Sequence, residues 1–306
     1  MNICIVIVTY NGMTWLQKCL DSCKSYSVIV VDNASTDGTL AFIAKNFAKV
    51  QVFPQSKNLG FGQANNLGIS YALNQGAEQV FLLNQDAYLI DDCLEKLCDF
   101  QNDNPQFGVL SPIHVNATKD KLDVNFSNYM RHRYNPYFYS DFVLKNKLKP
   151  VYEVPFVNAA AWLISKQCLN TIGGFDPVFF HYGEDDNYCQ RVTYHKLKIG
   201  VLPTSFVIHD RENREHKPIN KYSEAYYRVQ AKKYAIKYAN INVLDTEYRI
   251  DNALLKIKRA KVKSLLKLNF TNYRNFKQEE AFLSTLKPRL LKSYTKNQLK
   301  GKHYLS

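Results

Sequence analysis

The sequence predicts an α/β fold in which helices flank a mixed, mostly parallel sheet, with a basic helical extension at the C-terminus. Two observations predict this fold. First, short aliphatic runs alternate with helix signals between residues 3 and 202, and strands that are apolar throughout are typical of a parallel sheet covered on both faces. Second, residues 211–306 contain 23 Lys and Arg against 8 Asp and Glu, whereas residues 1–210 contain 17 against 19. This division indicates a neutral domain followed by a basic region.

The chain has 306 residues, of which 46% are hydrophobic, so it can bury a large core. We predict a domain at residues 1–215 and a basic helical region at residues 216–306. The seven cysteines contain no C-x-x-C pair, which favours free thiols in a reducing compartment. No Lys or Arg precedes the first apolar run, and no stretch approaches the roughly 20 apolar residues of a spanning helix. We therefore expect a cytoplasmic protein, either soluble or peripheral on the cytoplasmic face of a membrane.

The predicted elements follow from apolar runs and turn residues. Strands are predicted at Ile3–Val8, Val28–Val31, Val50–Phe53, Val80–Leu83, Gly108–Ser111 and Ile199–Leu202. Helices are predicted from Thr14 to about Cys23, after Gly38, at Phe61–Asn74, at Asp91–Phe100 and from Glu184. The first helix begins with the spacing of a capping box, Thr14 and Gln17. The polar and aromatic stretch from Asn116 to Lys149 predicts a loop or hairpin near the site. The sequence after Asn220 predicts helices.

Polar segments follow several of these strands. Thr9-Tyr10-Asn11 follows the first strand, Asp32 ends the second, and Asn84-Gln85-Asp86 follows the fourth. A further acidic segment, Gly183 to Asn187, opens a helix. Because ligands bind beyond the carboxyl ends of strands in parallel sheets, we expect the chemistry at this edge.

These segments resemble glycosyltransferase family 2, the inverting enzymes of the GT-A fold, and especially its rhamnosyltransferase-like members. The matching strings, in the order of the family, are IVIVTYNG, VIVVDNASTDGT, NLGFGQANNLGI, VFLLNQDAYL, GGFDPVFFHYGEDDNYCQR and VIH. The resemblance covers about residues 1–210 and implies a Rossmann-like domain with a nucleotide-binding half (1–112) and an acceptor half (113–215). It implies transfer of a sugar from a UDP- or dTDP-sugar to an acceptor hydroxyl, with inversion, in surface polysaccharide synthesis.

The resemblance also implies contacts to the donor. Asp32 would accept the imide N–H of a uracil or thymine base, and Thr9, Tyr10 and Asn11 would line the other side of the base. A turn or helix-cap role for Asp32 is the alternative. Two further positions are assigned near the donor. Asn58 lies in an Asn-rich segment that enters a helix, and Gly174 would let the backbone approach the donor, although a simple turn explains Gly174 equally well.

A divalent cation, Mn²⁺ or Mg²⁺, would neutralise the leaving diphosphate. The family's acid–any–acid motif stands here as Asn84-Gln85-Asp86, so Asp86 is the predicted metal ligand and Asn84 a donor contact. His209 matches a histidine that many GT-A enzymes use as a further metal or phosphate contact, and a purely structural histidine is the open alternative. In the following loop, Arg211, Arg214 and His216 would clamp the diphosphate.

The acceptor hydroxyl must lose a proton as it attacks, which requires a positioned carboxylate. The resemblance assigns that base to Asp185, with Glu184 orienting the acceptor or the base and Asp186 as the fallback. Acidic residues in the first turn of a helix also have a plain structural explanation. Many relatives carry an acid at the position of Asn187.

The basic region supports two interpretations. Apolar residues keep helical spacing among many Lys and Arg; they are Ile250, Leu254, Ile257, Leu265 and Leu268. Such a helix can lie on an anionic membrane and meet a glycan or lipid-linked glycan acceptor there. The alternative is a helical appendage packed on the domain.

Three other functions compete with the glycosyltransferase interpretation. A dinucleotide-dependent oxidoreductase is disfavoured because the first strand is not followed by Gly-x-Gly-x-x-Gly. A nucleic-acid-binding protein is disfavoured because no nucleic-acid motif accompanies the charge, and we predict no nucleic-acid partner. A catalytically impaired relative that still binds nucleotide sugars remains an alternative, because Asn84 and Asn187 stand where relatives carry acids.

Overall fold

The structure is a computed structural model that describes residues 2–211 and 218–306. The strands are β1 (Ile3–Thr9), β2 (Ser27–Asp32), β3 (Gln51–Pro54), β4 (Gln79–Asn84), β5 (Ala87–Leu89), β6 (Phe107–Val115), β7 (Tyr152–Glu153), β8 (Ala161–Ser165) and β9 (Lys198–His209). The helices are α1 (Met13–Ser22), α2 (Thr39–Asn46), α3 (Phe61–Asn74), α4 (Cys93–Asp103), α5 (Val124–Tyr129), α6 (Pro136–Val143), α7 (Lys166–Ile172), α8 (Glu184–Tyr194), α9 (Glu224–Tyr238), α10 (Thr246–Leu266) and α11 (Phe270–Gln298).

These strands form one sheet in the order β3-β2-β1-β4-β8-β6-β9-β5, and β7 also pairs with β9. The first four strands of this order are parallel, as are β6 and β9. β8 lies between β4 and β6 and is antiparallel to both. The prediction of a mixed, mostly parallel sheet flanked by helices is therefore confirmed.

The sheet buries both faces because its strands are apolar throughout. On one face Ile5 and Ile7 pack with Leu16 of α1 and Leu94 of α4. On the other face Val6 packs with the α3 side, so closely that a Cβ added to Gly68 of α3 would lie 2.4 Å from Val6. All seven cysteines are buried and free, as predicted. This two-sided packing brings the strand ends together at one edge.

Two local predictions were wrong. Residues 116–149 contain two short helices, α5 and α6, rather than a loop or hairpin. Each begins at a side-chain cap: Asp123 accepts from the N–H of Phe126, and Asn135 accepts from the N–H of Phe138. The capping box at Thr14 is also absent, because α1 begins at Met13, whose N–H donates to Asp37 from the neighbouring loop.

The basic region folds as three helices packed against one another. Ile250 and Leu254 of α10 are buried against Leu283, Leu286 and Leu290 of α11. The apolar face of α10 that was predicted to lie on a membrane is therefore used in part inside the protein. Within residues 2–211 and 218–306, no helix has the length and apolarity needed to cross a bilayer. The domain boundaries at residues 112 and 215 stay predictions.

A buried carboxylate, Asp176, helps to join the C-terminal helices to the sheet domain. Asp176 is 3% exposed, and its Oδ2 accepts from Ser293 (2.6 Å), Asn297 (2.7 Å) and Tyr304 (3.0 Å). Its Oδ1 accepts from the N–H of Val178 at 2.8 Å. Hydrogen bonds to a charged acceptor are stronger than neutral ones, so this junction fixes the basic region on the domain.

We expect Asp176→Ala to destabilise the protein by roughly 3 kcal/mol or more, because several buried donors lose a charged acceptor at once. Ser293→Ala, the matched control, removes one of these bonds and should cost about 1 kcal/mol. Urea unfolding of both variants measures the difference. Equal losses in the two variants would show that Asp176 does not organise the junction.

Candidate active site

The predicted base-binding residues lie together where β1 and β2 end. Thr9 and Asp32 are partners in the register of the two strands. Asp32 is fully buried: its Oδ1 accepts from Thr9 Oγ1 at 2.9 Å and from Ser35 Oγ at 2.5 Å, and its Oδ2 accepts from the N–H of Ser35 at 2.9 Å. A carboxylate accepts about four hydrogen bonds, so these three leave one acceptor position, on Oδ2. Its turn-forming role, the alternative stated above, is present in this structure.

Tyr10 and Asn11 continue from this corner. The Tyr10 N–H donates to Gln85 Oε1 at 2.9 Å, and Gln85 returns a bond to the Tyr10 carbonyl at 3.2 Å. This exchange joins the end of β1 to the segment after β4. The Tyr10 side chain is 49% exposed. Asn11 Oδ1 accepts from the N–H of Thr36 at 2.8 Å, which orders the loop after β2.

Asn58 and Gly174 are used in loop contacts. Asn58 accepts from the N–H of Gly60 at 2.8 Å. Gly60 has φ +80°, and a Cβ there would lie 1.9 Å from the Phe180 carbonyl oxygen. The N–H of Gly174 donates to the His303 carbonyl, and its own carbonyl accepts from Arg191 at 2.6 Å. The structure places Gly174 against the C-terminal segment, and the donor contact of Gly174 stays a prediction.

Asp86 and His209 are brought together by strand pairing. Ala87 pairs with His209 in the β5–β9 register, so Asp86 stands beside the histidine. His209 Nε2 lies 3.5 Å from Asp86 Oδ1, and each side chain is 1% exposed. Asn84, at the end of β4, bonds through its N–H to the Ala160 carbonyl. The two residues predicted to hold a cation are therefore adjacent and buried.

His114 and Asp123 also belong to this cluster, and sequence reasoning missed them. His209 Nδ1 lies 3.9 Å from Asp123 Oδ2, and ligand atoms of His114, Asp123 and His209 all lie within 4.8 Å of one another. The parallel register of β6 with β9 carries His114 to this point. A histidine near the end of an apolar strand was the available signal, but the extension of β6 to Val115 was not predicted.

Arg211 and burial determine the pKa values in this cluster. Arg211 Nε donates to Asp123 Oδ2 at 2.8 Å and Nη2 to Oδ1 at 2.6 Å. Burial alone would raise the pKa of Asp123, but the hydrogen bonds from Arg211 and from the N–H of Phe126 outweigh it and lower the pKa. Burial lowers the pKa of His114 to about 3, so this imidazole is neutral near pH 7. Arg214 and His216 lie outside the described residues.

Three acids open α8 after Gly183, which has φ +92°. Glu184 is buried, and burial followed by the nearby Asp185 raises its pKa to about 7. Burial also raises the pKa of Asp185, although N–H groups of Asp186 and Ala159 oppose the shift. Burial and Asp185 together raise the pKa of Asp186 to about 7. Acids with raised pKa values at a cleft are typical of proton-transfer sites.

Glu184 should make stability depend on pH. Its folded pKa of about 7 exceeds the ordinary 4.5, so the folded state holds a proton that the unfolded state has lost, and the free energy of unfolding falls as pH rises from 4.5 to 7. We expect Glu184→Gln to match the wild type near pH 4.5 and to be more stable at pH 8 by up to about 3 kcal/mol. Urea midpoints at the two pH values check this. A variant that is less stable at pH 8 would contradict it.

The acidic turn (Glu184, Asp185 and Asp186) and the His/Asp cluster (Asp86, His114, Asp123 and His209) lie at the same edge of the sheet. The N–H of Asn84 donates to the Ala160 carbonyl, while the preceding residue, Ala159, offers its N–H to Asp185. Tyr129 makes a second connection, since Asp185, Asp186, Arg211 and Asp123 all act on its hydroxyl electrostatically. The start of α8 and the Asp123–Arg211 pair therefore lie around the same tyrosine.

A cavity of about 530 Å³ opens on the acidic turn. Both Asp185 and Asp186 line it, and they are partly exposed there. The remaining wall includes four aromatic rings and two cations, which are Tyr129, Tyr134, Phe156, Tyr182, Arg131 and Lys232. Aromatic rings and charged hydrogen-bond donors suit a polar, ring-shaped ligand.

Known proteins share this architecture. Residues 4–173 match the model of glycosyl transferase family 2. The chain is 26% identical over 248 residues to the dTDP-rhamnosyl transferase RfbF of Shigella flexneri, covering 75% of this chain and 78% of that protein. It is 22% identical over 231 residues to the N-acetylglucosaminyl-diphospho-decaprenol L-rhamnosyltransferase of Mycobacterium tuberculosis, covering 68% of this chain and 75% of that protein.

Solved structures share the fold at low sequence identity. Residues 1–349 of S. aureus TarS in complex with UDP-GlcNAc superpose with a TM-score of 0.55 at 17% identity, covering 97% of this chain and 90% of that one. The mannosyltransferase PcManGT of Pyrobaculum calidifontis, in complex with GDP-Man and Mn²⁺, gives 0.51 at 16%, covering 95% and 87%. In a longer TarS structure the match covers 80% of this chain but 40% of that one. The predicted GT-A fold is confirmed, and the chain belongs to glycosyltransferase family 2.

Proposed function

We propose that this protein transfers a sugar from a UDP- or dTDP-sugar to a hydroxyl of a glycan, with inversion, in the synthesis of a surface polysaccharide. The observation that carries the proposal is the closeness of the acidic turn to the segment before Asp86: the N–H of Asn84 donates to Ala160, and the preceding Ala159 acts on Asp185. The names of the two relatives, both rhamnosyltransferases, favour dTDP-rhamnose among the possible donors.

The residues present fit a divalent cation. Neither ring nitrogen of His209 has a hydrogen-bond partner among the described residues, although the ring is buried. Its Nε2 faces Asp86 and its Nδ1 faces Asp123. A ligand histidine commonly directs its second nitrogen to a carboxylate, so Asp86 and His209 would hold Mn²⁺ or Mg²⁺ and Asp123 would orient the ring. A cation bound there would neutralise charge on the departing diphosphate.

The acidic turn performs the proton transfer in this proposal. The acceptor oxygen attacks the anomeric carbon, the bond from that carbon to the phosphate oxygen breaks, and the acceptor proton passes to Asp185. A direct displacement of this kind inverts the anomeric configuration. The raised pKa of Asp185 makes it a stronger base than an ordinary aspartate. Glu184, which is buried beside it, orients the acceptor or the base.

The cavity at Asp185 is the proposed acceptor site. Its rings, Tyr129, Tyr134, Phe156 and Tyr182, can cover sugar faces, while Arg131 and Lys232 can bind an anionic group of a lipid-linked glycan. Such an acceptor stands at a membrane surface, so we propose that the protein works in the cytoplasm, peripherally on an anionic membrane. Thr9, Tyr10, Asn11 and Asp32 remain the proposed surroundings of the base.

Thermal-shift measurements of the full chain test the donor and the cation together. UDP-glucose, UDP-GlcNAc and dTDP-rhamnose are each added with and without MnCl₂. We expect one dTDP- or UDP-sugar to raise the melting temperature by several degrees and the rise to need Mn²⁺, because a ligand that binds only the folded state stabilises it. NADH serves as the control for a dinucleotide site. No shift with any nucleotide sugar, or a shift with NADH alone, would contradict the proposal.

A further inference from the structure

The tip of the α10–α11 hairpin, residues 262–270, presents large apolar side chains to solvent. Leu266 is 80% exposed, Leu268 74% and Phe270 56%. Val262 and Leu265 of the same tip are also exposed. The tip lies beyond Leu254 of α10, which is buried against α11. Clustered apolar residues at one protruding turn differ from the scattered exposed residues of an ordinary surface and mark an interaction site.

The backbone of this turn is already hydrogen-bonded within the protein. The N–H groups of Lys267, Leu268 and Asn269 donate to the carbonyls of Lys263, Leu265 and Ser264, at 2.9–3.1 Å. The Asn269 side chain accepts from the N–H of Asn272 and caps α11. A turn whose N–H groups are bonded internally can leave water at low cost, which is the condition for entering the polar boundary of a bilayer.

Leu268 occupies the position of the turn with φ +54°. Gly or Asn adopts this left-handed conformation more easily than a leucine does. Leu268 is 74% exposed, so it gains little burial among the described residues in return for this backbone conformation. An exposed apolar side chain at this strained position is explained if a binding partner buries it.

The charge around the tip selects one kind of partner. Residues 256–277 contain eight Lys and Arg and no Asp or Glu. One of these cations, Lys261, pairs with Glu280. The same tip on a second copy would bring like charges together, which disfavours self-association. A nucleic acid would match the charge but not the apolar side chains, whereas an anionic lipid surface matches both.

We propose that the α10–α11 tip inserts Leu266, Leu268 and Phe270 into the headgroup boundary of an anionic membrane, while the surrounding Lys and Arg bind lipid phosphates. This differs from a helix lying flat, because the face with Ile250 and Leu254 is occupied by packing inside the protein. The proposal deepens the membrane association given under the proposed function and rests on it. The partner that we propose for the tip is an anionic bilayer.

Vesicle co-sedimentation of the full chain tests the tip. Vesicles of phosphatidylcholine with phosphatidylglycerol are compared with phosphatidylcholine alone, at low and at high salt. We expect the wild type to sediment with the anionic vesicles and to be released in part by salt. The variant Leu266→Ser/Leu268→Ser should have a partition coefficient at least about tenfold lower, because two apolar side chains lose their burial.

Leu244→Ser is the matched control, since Leu244 is also 74% exposed but lies outside the tip; it should bind as the wild type does. Both substitutions are at the surface, so circular dichroism should be unchanged. Wild-type protein that stays in the supernatant at low salt, or a double variant that sediments as well as the wild type, would overturn the proposal. Sedimentation equilibrium provides a further test: dimerisation that the double variant abolishes, without vesicle binding, would assign the tip to a second copy. The assay contains no nucleotide sugar, so its failure leaves donor binding standing.

Discussion

Replacing Asp185 with asparagine should lower kcat for sugar transfer by about 10²- to 10⁴-fold, the usual contribution of a positioned general base. Asparagine keeps the size of the side chain and removes only the ability to take the acceptor proton. The donor should still bind, because Asp185 lies at the cavity proposed for the acceptor. Steady-state transfer assays for kcat, together with thermal shift by the donor, separate the two effects.

Asp186→Asn is the matched control for this prediction, since Asp186 lines the same cavity and carries a pKa of about 7. We expect a much smaller loss from it. The acid limb of kcat should also lie above the ordinary range of an aspartate, because the base works only when ionised and burial raises the pKa of Asp185. A large loss in Asp186→Asn with full activity in Asp185→Asn would transfer the role to Asp186. Equal activity in all three proteins would favour a catalytically impaired relative.

Asp86→Ala should abolish stimulation by Mn²⁺ and lower donor turnover on the order of 10³-fold, because a cation contributes several kcal/mol at the leaving diphosphate. Asp86 and His209 Nε2 lie 3.5 Å apart with both side chains buried, so the substitution removes one of the two proposed metal ligands. Mn²⁺ titration followed by calorimetry measures the binding directly, and donor hydrolysis measures the rate.

Substitution of the neighbouring carboxylate, Asp123, distinguishes two possible positions of the cation. Asp123 faces His209 Nδ1 and is held by Arg211, so Asp123→Asn should weaken Mn²⁺ binding only by about 10- to 100-fold, as expected for a residue that orients a ligand. If Asp123→Asn abolishes binding and Asp86→Ala does not, the cation is held by His114, Asp123 and His209 instead. That outcome would reassign the metal site and leave the role of Asp185 unaffected.

Much of the sheet domain could be predicted because its signals are local. The apolar runs that became β1, β2 and β4 are continuous in the sequence, and each is followed by polar residues at the sheet edge. Thr9, Asp32 and Asp86 stand at or just after those strand ends, and the resemblance to glycosyltransferase family 2 then assigned their roles. The two helices between residues 116 and 149 were missed although their caps, Asp123 and Asn135, are visible in the sequence.

The sequence by itself determined which residues end strands, which acids open α8 and where the positive charge is concentrated, because these follow from neighbours along the chain. Only the tertiary structure decided which of them meet. The pairing of β5 and β6 with β9 brings Asp86, His114 and His209 together across 123 residues. The docking of α11 on Asp176 occupies the C-terminal apolar face and leaves the hairpin tip exposed. Contacts between distant segments depend on strand register and on which apolar faces cover each other. The local pattern of residues specifies neither of these.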